Sequence, residues 1–374
     1  MTEKTSTSNR SKAFFINGGA GRVLCSIPAL EYYHDNSGDE DFLIVCEGGM
    51  ELYRGHPVLQ NHVYEVWHKG LFEEHLRDKD IVSLEPYRIN EYFNQECSLA
   101  QAFDIEINGK GIRDLPSPTL KLNKAETVTG FQTIQEIKAG LNKDKAVIIQ
   151  PFGRSVSPMG DFLIDPTSRS FEVQNILNII DSLREDYAVV VMSELPFPIT
   201  ENPKAPVAVP KEPNLRLWAS MIASSDYFLG CDSLGQHLAK ATGKSATVVV
   251  GSTVPINISY VNDKTFDIID VGERKNRKYS PIRLTMDDEL DRTNDGVMML
   301  TPEEEQEIVK SVKKGAGKGG EFKGKRPTPI QQEQGCCPPT QTPEKAPAVV
   351  LEKNDTPKLA NYDFSTKNLL SEEK

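Results

Sequence analysis

One stretch of the chain concentrates residue types that bind a diphosphate. An apolar run ends at Cys231, Asp232 and Ser233 follow it, and Gly235 and His237 lie in the amphipathic segment that comes next. This pattern predicts a strand that ends at Cys231 and a helix that begins near Ser233. Free backbone N–H groups at a helix start attract phosphate, together with the positive end of the helix dipole. Open α/β sheets bind their ligands at the carboxyl ends of the strands, so we expect a ligand crevice here.

The next apolar run ends in a second group of small residues, Gly251, Ser252 and Thr253. We expect their backbone N–H groups and hydroxyls to close over the same phosphates. Asp232 is acidic beside this anion site, so its expected task is to cap the helix or to hold His237 and a ribose hydroxyl. In the alternative interpretation, Asp232 only caps a helix and His237 is a packed side chain. The joint pattern favours the ligand site.

The spacing of these residues resembles the C-terminal signature of the heptosyltransferase-like glycosyltransferases of family 9. That signature runs Asp-(Ser/Thr)-Gly-x-x-His, then Ala-x-Ala-x-Gly and, after an apolar strand, Gly-x-Thr-x-Pro. The positions that match it in register are Asp232, Ser233, His237, Ala239, Ala241, Gly243, Gly251, Thr253 and Pro255. One glycine is displaced by a residue, to Gly235. The resemblance covers about 145–261 and implies a GT-B-like α/β fold, in which two Rossmann-like domains face an interdomain cleft.

The resemblance also implies a reaction and further donor-binding residues. A sugar would pass from a nucleotide-diphospho-sugar, as co-substrate, to a glycan or small-molecule acceptor. The transfer would be metal-independent and inverting, of the hexosyl or heptosyl class, with no other cofactor. Gly153, Arg154 and Ser155 follow the first donor-domain strand, and Arg154 replaces the family's lysine beside the leaving diphosphate. Glu194 resembles an acidic position that contacts the donor's nucleoside or sugar. We expect His237, as a catalytic residue, to stabilise the departing diphosphate electrostatically together with Arg154.

The folded part begins with a strand, a glycine-rich turn and a helix. The turn holds Asn17, Gly18, Gly19 and Gly21, and Arg22 follows it. An NAD-binding fingerprint requires a third glycine at position 24, which is leucine here, and this disfavours an NAD-dependent oxidoreductase. The segment is similar to the family's first βα unit, whose members carry a proposed general base, an aspartate, where this chain has Arg22.

An arginine stays protonated and therefore cannot take a proton from an acceptor hydroxyl. We expect Arg22 to hold an anionic acceptor or the donor's phosphate, the alternative being a surface arginine at a turn. The base is then unassigned, with Glu31, Asp35 and the histidines of the first half as candidates. The substitution also motivates a second function, a catalytically inactive GT-B-like protein that binds a nucleotide or a protein partner.

Four histidines within twenty residues suggest a metal site: His56, His62, His68 and His75. Their spacings of six, six and seven do not match a compact zinc signature. The acidic run 39–41 resembles the Asp-x-Asp metal motif of the other large glycosyltransferase fold, but it precedes a strand instead of following one. We expect a solvated loop there and no metal site.

Short apolar runs alternate with helical patterns, which predicts a parallel α/β sheet covered on both faces. The strand candidates are 13–16, 42–46, 146–149, 187–192, 227–231 and 246–250. Apolar residues recur at helical spacing over 171–183 and again over 215–222. The predicted domains are an acceptor-side domain at 1–144, a donor-binding domain at 145–312 and a disordered tail rich in Gly, Lys, Pro and Gln at 313–374.

The chain has 374 residues and a formal net charge of −11, and residues 1–312 alone carry 32 basic and 46 acidic side chains, a net charge of −14. Such acidity disfavours nucleic acid as a partner, because binding to phosphates requires lysine and arginine. No segment approaches the ~20 apolar residues that cross a bilayer, and the cysteines show neither disulfide nor metal spacing. We expect a cytoplasmic protein. The sequence does not set its oligomeric state.

Overall fold

The computed structural model describes residues 10–159, 162–195, 206–258, 260–278 and 296–317. Of these, 10–157 and 163–317 belong to one compact unit. Residues 158–162 and 321–374 make up a second unit, of which 158, 159 and 162 are described. All the site residues discussed below lie in the first unit.

The first half of the chain forms a four-stranded parallel sheet with the strand order β3-β2-β1-β4. Its strands are β1 (Lys12–Ile16), β2 (Leu43–Cys46), β3 (Val63–Glu65) and β4 (Asp80–Ser83). The helical segments are α1 (Ala20–Ser37), α2 (Asn90–Phe93) and α3 (Leu99–Asn108), the 3-10 turns Met50–Tyr53, Leu59–Asn61 and Pro86–Arg88, and a π-helical turn, Leu71–Leu76. Parallel strands place their carboxyl ends at one edge of the sheet, and the glycine-rich turn follows β1 at that edge.

The second half forms a five-stranded parallel sheet with the order β11-β10-β9-β5-β8. Its strands are β5 (Ala146–Gln150), β8 (Ala188–Val191), β9 (Tyr227–Cys231), β10 (Ala246–Val250) and β11 (Phe266–Asp270). The short strands β6 (Ser157–Met159) and β7 (Phe162–Ile164) lie between β5 and β8 in the chain. The helices are α4 (Lys124–Gly140), α5 (Val173–Leu183), α6 (Leu215–Ser224), α7 (Leu234–Ala241), α8 (Pro255–Ile258), α9 (Val271–Arg274) and α10 (Pro302–Gly317). The strand order reverses between β5 and β9, and such switch points bind ligands in open α/β sheets.

The predicted α/β class is confirmed, and each of the six strand candidates coincides with a strand of the two sheets. The helical patterns at 171–183 and 215–222 correspond to α5 and α6, and the helices predicted after the glycine-rich turn and near Ser233 correspond to α1 and α7. The sequence pattern does not predict β3, β4 and β11 of the two larger sheets, nor the short strands β6 and β7, which pair with each other. β4 lies at a sheet edge and alternates half-buried with exposed residues, and the sequence of β11, Phe-Asp-Ile-Ile-Asp, has no continuous apolar run.

The predicted start of the disordered tail at residue 313 is wrong by five residues, because α10 continues to Gly317. Ile308, Val312 and Ala316 are spaced four residues apart and are fully buried in the core of the second half. A glycine such as Gly315 often ends a helix. Here it lies inside α10, where the absence of a side chain lets the helix backbone pack against the Tyr227 ring. Residues 318–374, the rest of the predicted tail, lie outside the described residues.

Helix α4 packs against α6, so the segment that links the two sheets is fixed to the second half. Arg216 is 1% exposed and forms two hydrogen bonds with the Glu126 carboxylate, at 2.6 and 2.7 Å. Ser220 Oγ donates to the Glu126 backbone oxygen at 2.7 Å. A Cβ on Gly130 would lie only 2.2 Å from Ser220 Oγ, so glycine is required at this helix contact. The predicted domain boundary at residue 144 stays a prediction.

Within the described ranges no helix is both long and apolar enough to cross a membrane. The cysteines at positions 25, 46, 97 and 231 are buried and unpaired with one another. Cys336 and Cys337 lie outside the described residues.

Candidate functional site

Asp232 joins the carboxyl ends of β9 and β10. It is 4% exposed and directly follows β9. Its Oδ1 accepts a hydrogen bond from Gln236 Nε2 and its Oδ2 accepts one from Thr253 Oγ1, both at 2.9 Å. Asp232 therefore fixes the first turn of α7 and the loop after β10, and neither His237 nor a helix-capping amide is its hydrogen-bond partner in these contacts.

The start of α7 is less open than the sequence predicts. Ser233 is the N-cap residue, but its side chain makes no capping hydrogen bond. The Gly235 backbone N–H donates to Gln150 Oε1 at 2.7 Å, and Gln150 Nε2 donates to Ser233 Oγ at 3.3 Å. A Cβ on Gly235 would lie 2.4 Å from Gln150 Oε1, so the close approach requires glycine. The prediction of a free amide is wrong at Gly235.

The two hydroxyls of the loop after β10 also donate their hydrogen bonds to groups of the protein. Ser252 Oγ donates to the Thr167 backbone oxygen at 2.5 Å, and Thr253 Oγ1 donates to Asp232. The Gly251 backbone oxygen accepts from Arg277 Nη1 at 3.1 Å. The predicted donation of these two hydroxyls to phosphate is therefore not set up in this structure.

The loop after β5 lies across the switch point from Asp232. The Gly153 backbone N–H donates to Ser170 Oγ at 2.9 Å, and a Cβ on Gly153 would lie 3.8 Å from Ser233 Oγ. Arg154 is exposed and has no ion pair within the described part of the chain. Its Nη1 lies 3.5 Å from the position of a Cβ on Gly19, so this cation reaches the glycine-rich turn of the first half.

Arg169 is a site residue that the sequence analysis missed. Its Nη1 lies 3.8 Å from Asp232 Oδ2, and its Nη2 donates to Ser155 Oγ at 3.5 Å. Burial lowers its pKa, but the charges of Asp232 and Asp165 outweigh burial and raise it above the ordinary arginine value. Arg169 thus supplies a second, permanently charged cation to the loop that follows β5.

Asp165 holds the turn that carries Arg169. Its two oxygens accept hydrogen bonds from the backbone N–H and hydroxyl of both Thr167 and Ser170. Burial raises the pKa of Asp165, but these hydrogen bonds outweigh it and bring the pKa below the ordinary value. The sequence Asp-Pro-Thr-Ser-Arg-Ser at 165–170 is typical of such a turn, and this signal could have drawn attention to Arg169.

The glycine-rich turn of the first half lies against the second half. Gly18 has a φ of +88°, in the left-handed region that favours glycine, and its N–H donates to Glu47 Oε2 at 2.6 Å. Gly19 is the N-cap residue of α1. Asn17 Nδ2 donates to Glu85 Oε1 at 2.7 Å. Glu47 and Glu85, which follow β2 and β4, therefore hold the turn at the edge where the strands of the first sheet end.

His237 is 7% exposed and packs against α1. Its Nδ1 lies 2.8 Å from the Tyr260 hydroxyl and 3.6 Å from Cys25 Sγ. A Cβ on Gly21 would lie 3.2 Å from its Cδ2. Burial lowers the pKa of His237 to about 4, so the ring is neutral at pH 7. The prediction that His237 stabilises the diphosphate as an electrostatic group is not supported by this environment.

Arg22 is 6% exposed, so the interpretation as a surface arginine is wrong. Its guanidinium lies 4.9 Å from the centre of the Tyr87 ring and 5.7 Å from that of Phe103. Nη2 donates to the Leu84 backbone oxygen at 3.1 Å, whereas Nε and Nη1 have no hydrogen-bond partner among the described residues. The side chain therefore lies under the glycine-rich turn, next to Gly18.

The remaining candidates from the sequence are the carboxylates Glu194, Glu31 and Asp35. Glu194 follows β8, is exposed and makes no hydrogen bond to the site residues described above. Glu31 accepts hydrogen bonds from His56 Nε2 and Thr119 Oγ1, at 2.9 and 2.7 Å. Glu31 and Asp35 lie in the second half of α1, about 14 Å or more along the helix from Arg22 at 1.5 Å per residue. Neither carboxylate can replace a base at the helix start.

The remaining histidines of the first half and the acidic run 39–41 make structural contacts. His62 stacks on Phe42 with ring centres 4.3 Å apart. His68 and His75 pack around the Tyr64 ring. Asp39 accepts from the Lys12 backbone N–H at 2.9 Å. Across the described residues, no group of three or more His, Cys, Asp or Glu side chains is arranged to hold a metal ion.

The chain has the fold of solved family 9 glycosyltransferases. It is similar to the glycosyl transferase family 9 protein from Veillonella parvula, with a TM-score of 0.58 and 13% identity over 83% of this chain and 98% of that one. It is also similar to the iron-containing dodecameric glycosyltransferase TibC from enterotoxigenic E. coli, with a TM-score of 0.50 and 12% identity over 81% and 75% of the two chains. TibC in complex with ADP-D-beta-D-heptose gives a TM-score of 0.50 and 11% identity over the same shares. No family model and no curated protein matches the sequence.

The GT-B-like fold that the sequence resemblance predicts is therefore confirmed. The predicted residues of the first half, Gly18 to Arg22, and those of the second half, Gly153 to Ser155 and Asp232 to His237, meet in one region. Glu194 makes no hydrogen bond to them among the described residues, so its predicted donor contact stays a prediction. Gln150, Arg169 and Glu47 are additional residues of that region.

Proposed function

We propose that this chain transfers a sugar from a nucleotide-diphospho-sugar to an acceptor hydroxyl. One observation carries the proposal: Arg154 Nη1 lies beside Gly19, and His237 lies beside Gly21, so the donor-side loops and the glycine-rich turn enclose one region. The donor would occupy the switch point between β5 and β9, where Gly153 and Asp232 lie in the loops that follow the two strands. The acceptor would approach from the side of the glycine-rich turn.

The two arginines of the second half would stabilise the leaving diphosphate. Arg154 is exposed and unpaired among the described residues, so it is available to a phosphate. Arg169 is already oriented by Ser155 and Asp232. Cations that are positioned before the reaction stabilise charge as it develops in the transition state. Because these two cations supply positive charge, we propose a metal-independent transfer, which by the sequence resemblance is inverting.

The sugar class is proposed from the comparisons. One of the similar structures holds ADP-D-beta-D-heptose, and the sequence signature resembles that of heptosyltransferases. We therefore propose a donor of the hexosyl or heptosyl class, with ADP-heptose as the first compound to test. The proposed acceptor is a glycan or a small molecule.

Nucleotide release from a panel of donors tests the proposal. The panel contains ADP-heptose and ADP-, GDP-, UDP- and CMP-sugars, and binding is followed by thermal shift. We expect at least one donor to bind and to release its nucleotide, and we expect Arg154→Ala to slow that release about 100-fold. Arg77→Ala is the matched control, because Arg77 is exposed on the π-helical turn far from the glycine-rich turn in sequence. A chain that binds no donor would overturn the proposal.

A second function is favoured by one observation. Arg22 stands where the resembling family has a proposed base, and it is buried under the glycine-rich turn. A catalytically inactive GT-B-like protein would bind a nucleotide or a protein partner through the same region. Binding of a donor without release of its nucleotide, for every acceptor tried, would favour this function over transfer.

A further inference from the structure

Resting on the proposed transfer, we infer that Glu47 is the general base that takes the proton of the acceptor hydroxyl. Glu47 directly follows β2, at the edge of the first sheet where the glycine-rich turn follows β1. Its Oε2 accepts the Gly18 backbone N–H at 2.6 Å. One oxygen of the carboxylate is thus anchored to the turn, and the other is left for a substrate.

Glu47 is exposed and has no ion pair with any described residue. Its anchor, Gly18, precedes Gly19, and the Gly19 Cβ position lies 3.5 Å from Arg154 Nη1. The carboxylate and the guanidinium therefore approach two adjacent glycines of one turn, from opposite halves of the chain. A base on the acceptor side and a cation on the leaving-group side of one turn are the arrangement that in-line displacement at a sugar carbon requires.

The other acidic side chains near Arg22 are less suited to this task. Glu106 Oε1 accepts the Glu85 backbone N–H at 2.8 Å, and its Oε2 is buried with no partner. Glu85 holds Asn17 through its Oε1. Asp232 has both oxygens engaged by Gln236 and Thr253. Glu47, by contrast, is exposed. It accepts one hydrogen bond among the described residues, which leaves its second oxygen accessible.

The acceptor oxygen attacks the anomeric carbon of the donor sugar and its proton passes to the Glu47 carboxylate. A bond forms between the acceptor oxygen and the anomeric carbon, and the bond from that carbon to the phosphate oxygen breaks. The bonding electrons leave with the nucleoside diphosphate, next to Arg154. A positioned base of this kind contributes about 100-fold to 10,000-fold to the rate.

Glu47→Gln removes the proposed base but keeps the hydrogen bond that holds the turn. A glutamine oxygen can still accept the Gly18 N–H, so the turn keeps its hydrogen bond, but a neutral amide takes no proton. With the donor that the panel identifies and with glycerol as the hydroxyl acceptor, we expect kcat to fall about 100-fold or more. The affinity for the nucleotide should stay within about threefold, because Glu47 lies on the acceptor side.

Rescue and a matched control complete the test. Glu47→Ala should regain part of its activity on addition of formate, which supplies a carboxylate, whereas Glu47→Gln should not. Glu40→Gln is the control, because Glu40 is also exposed and lies before the amino end of β2. Nucleotide release by Glu47→Gln at the wild-type rate would overturn the inference and leave the proposed transfer intact. A wild-type chain that releases no nucleotide from any donor would instead overturn the transfer and the inference with it.

Discussion

Gly21 and His237 are in contact although 216 residues separate them: a Cβ on Gly21 would lie 3.2 Å from His237 Cδ2. Gly21 belongs to α1 and His237 to α7, so the contact joins one helix of each half. A hydrogen atom at position 21 allows the imidazole ring to pack directly on the α1 backbone. The glycine of the sequence motif is therefore explained by packing as well as by any approach of a ligand.

Gly21→Val should separate α1 from α7. Three added carbon atoms have no room beside the ring, and overpacking of this kind costs about 1–3 kcal/mol of the free energy of unfolding. Denaturant unfolding measures the change. Gly111→Val is the control, because a Cβ there meets nothing within 4 Å, and it should change stability by less than about 0.5 kcal/mol. Equal effects of the two substitutions would contradict the contact.

His237 should make stability depend on pH. Burial lowers its pKa in the folded chain to about 4, below the value of roughly 6.5 of an exposed histidine. Between these two values the unfolded chain binds the proton and the folded chain does not, so the free energy of unfolding falls as the pH falls from about 6.5 to about 4. The loss amounts to roughly 3 kcal/mol at most.

The wild type and His237→Gln, unfolded in denaturant at several pH values across this window, provide the measurement. The variant has no group that titrates at this position, so its stability should depend less steeply on pH than that of the wild type. Parallel pH dependences of the two proteins would show that His237 does not titrate as a buried, neutral ring.

The sequence predicts those parts of the fold that are encoded locally. β5, β8, β9 and β10 are continuously buried strands, and an uninterrupted apolar run marks each of them. The edge strand β4 needs fewer apolar residues, since part of it faces solvent, and its pattern is correspondingly weak. Helix α10 extends beyond residue 312, the predicted end of the second domain, because its buried residues pack in the core of the second half, a tertiary effect.

The sequence predicts the local spacing of the site residues but not the contacts between residues that are far apart in the sequence. Asp232 and Gly153 follow neighbouring strands, and the residue types around them are sufficient to locate both. Gln150 occupies the Gly235 amide and Glu47 occupies the Gly18 amide. These pairs depend on the order of the strands in the two sheets. A local sequence pattern does not predict that order. The neutral state of His237 likewise follows from burial by Tyr260 and α1, far away in the sequence.

The Arg216–Glu126 pair should be costly to break from one side. Arg216 also donates to the Lys121 and Glu51 backbone oxygens, at 2.6 and 3.1 Å, and so ties three segments together. Arg216→Met leaves a buried carboxylate without its cation, which costs about 3–5 kcal/mol of the free energy of unfolding. The double variant Arg216→Met/Glu126→Gln removes the unpaired charge and keeps the oxygen that caps α4, so it should recover part of this loss. A double variant no more stable than Arg216→Met would contradict the pairing.

Gly315 and Tyr227 should fix the end of α10. A Cβ on Gly315 would lie 2.2 Å from Tyr227 Cε2, and the ring is held because the Tyr227 hydroxyl lies 3.1 Å from Thr247 Oγ1. Alanine is favoured over glycine in a helix by about 1 kcal/mol, but overpacking against a fixed ring costs about 1–3 kcal/mol. Gly315→Ala should therefore lower the free energy of unfolding. Gly317→Ala, where a Cβ meets nothing within 4 Å, should not, and denaturant unfolding of the two variants compares them directly.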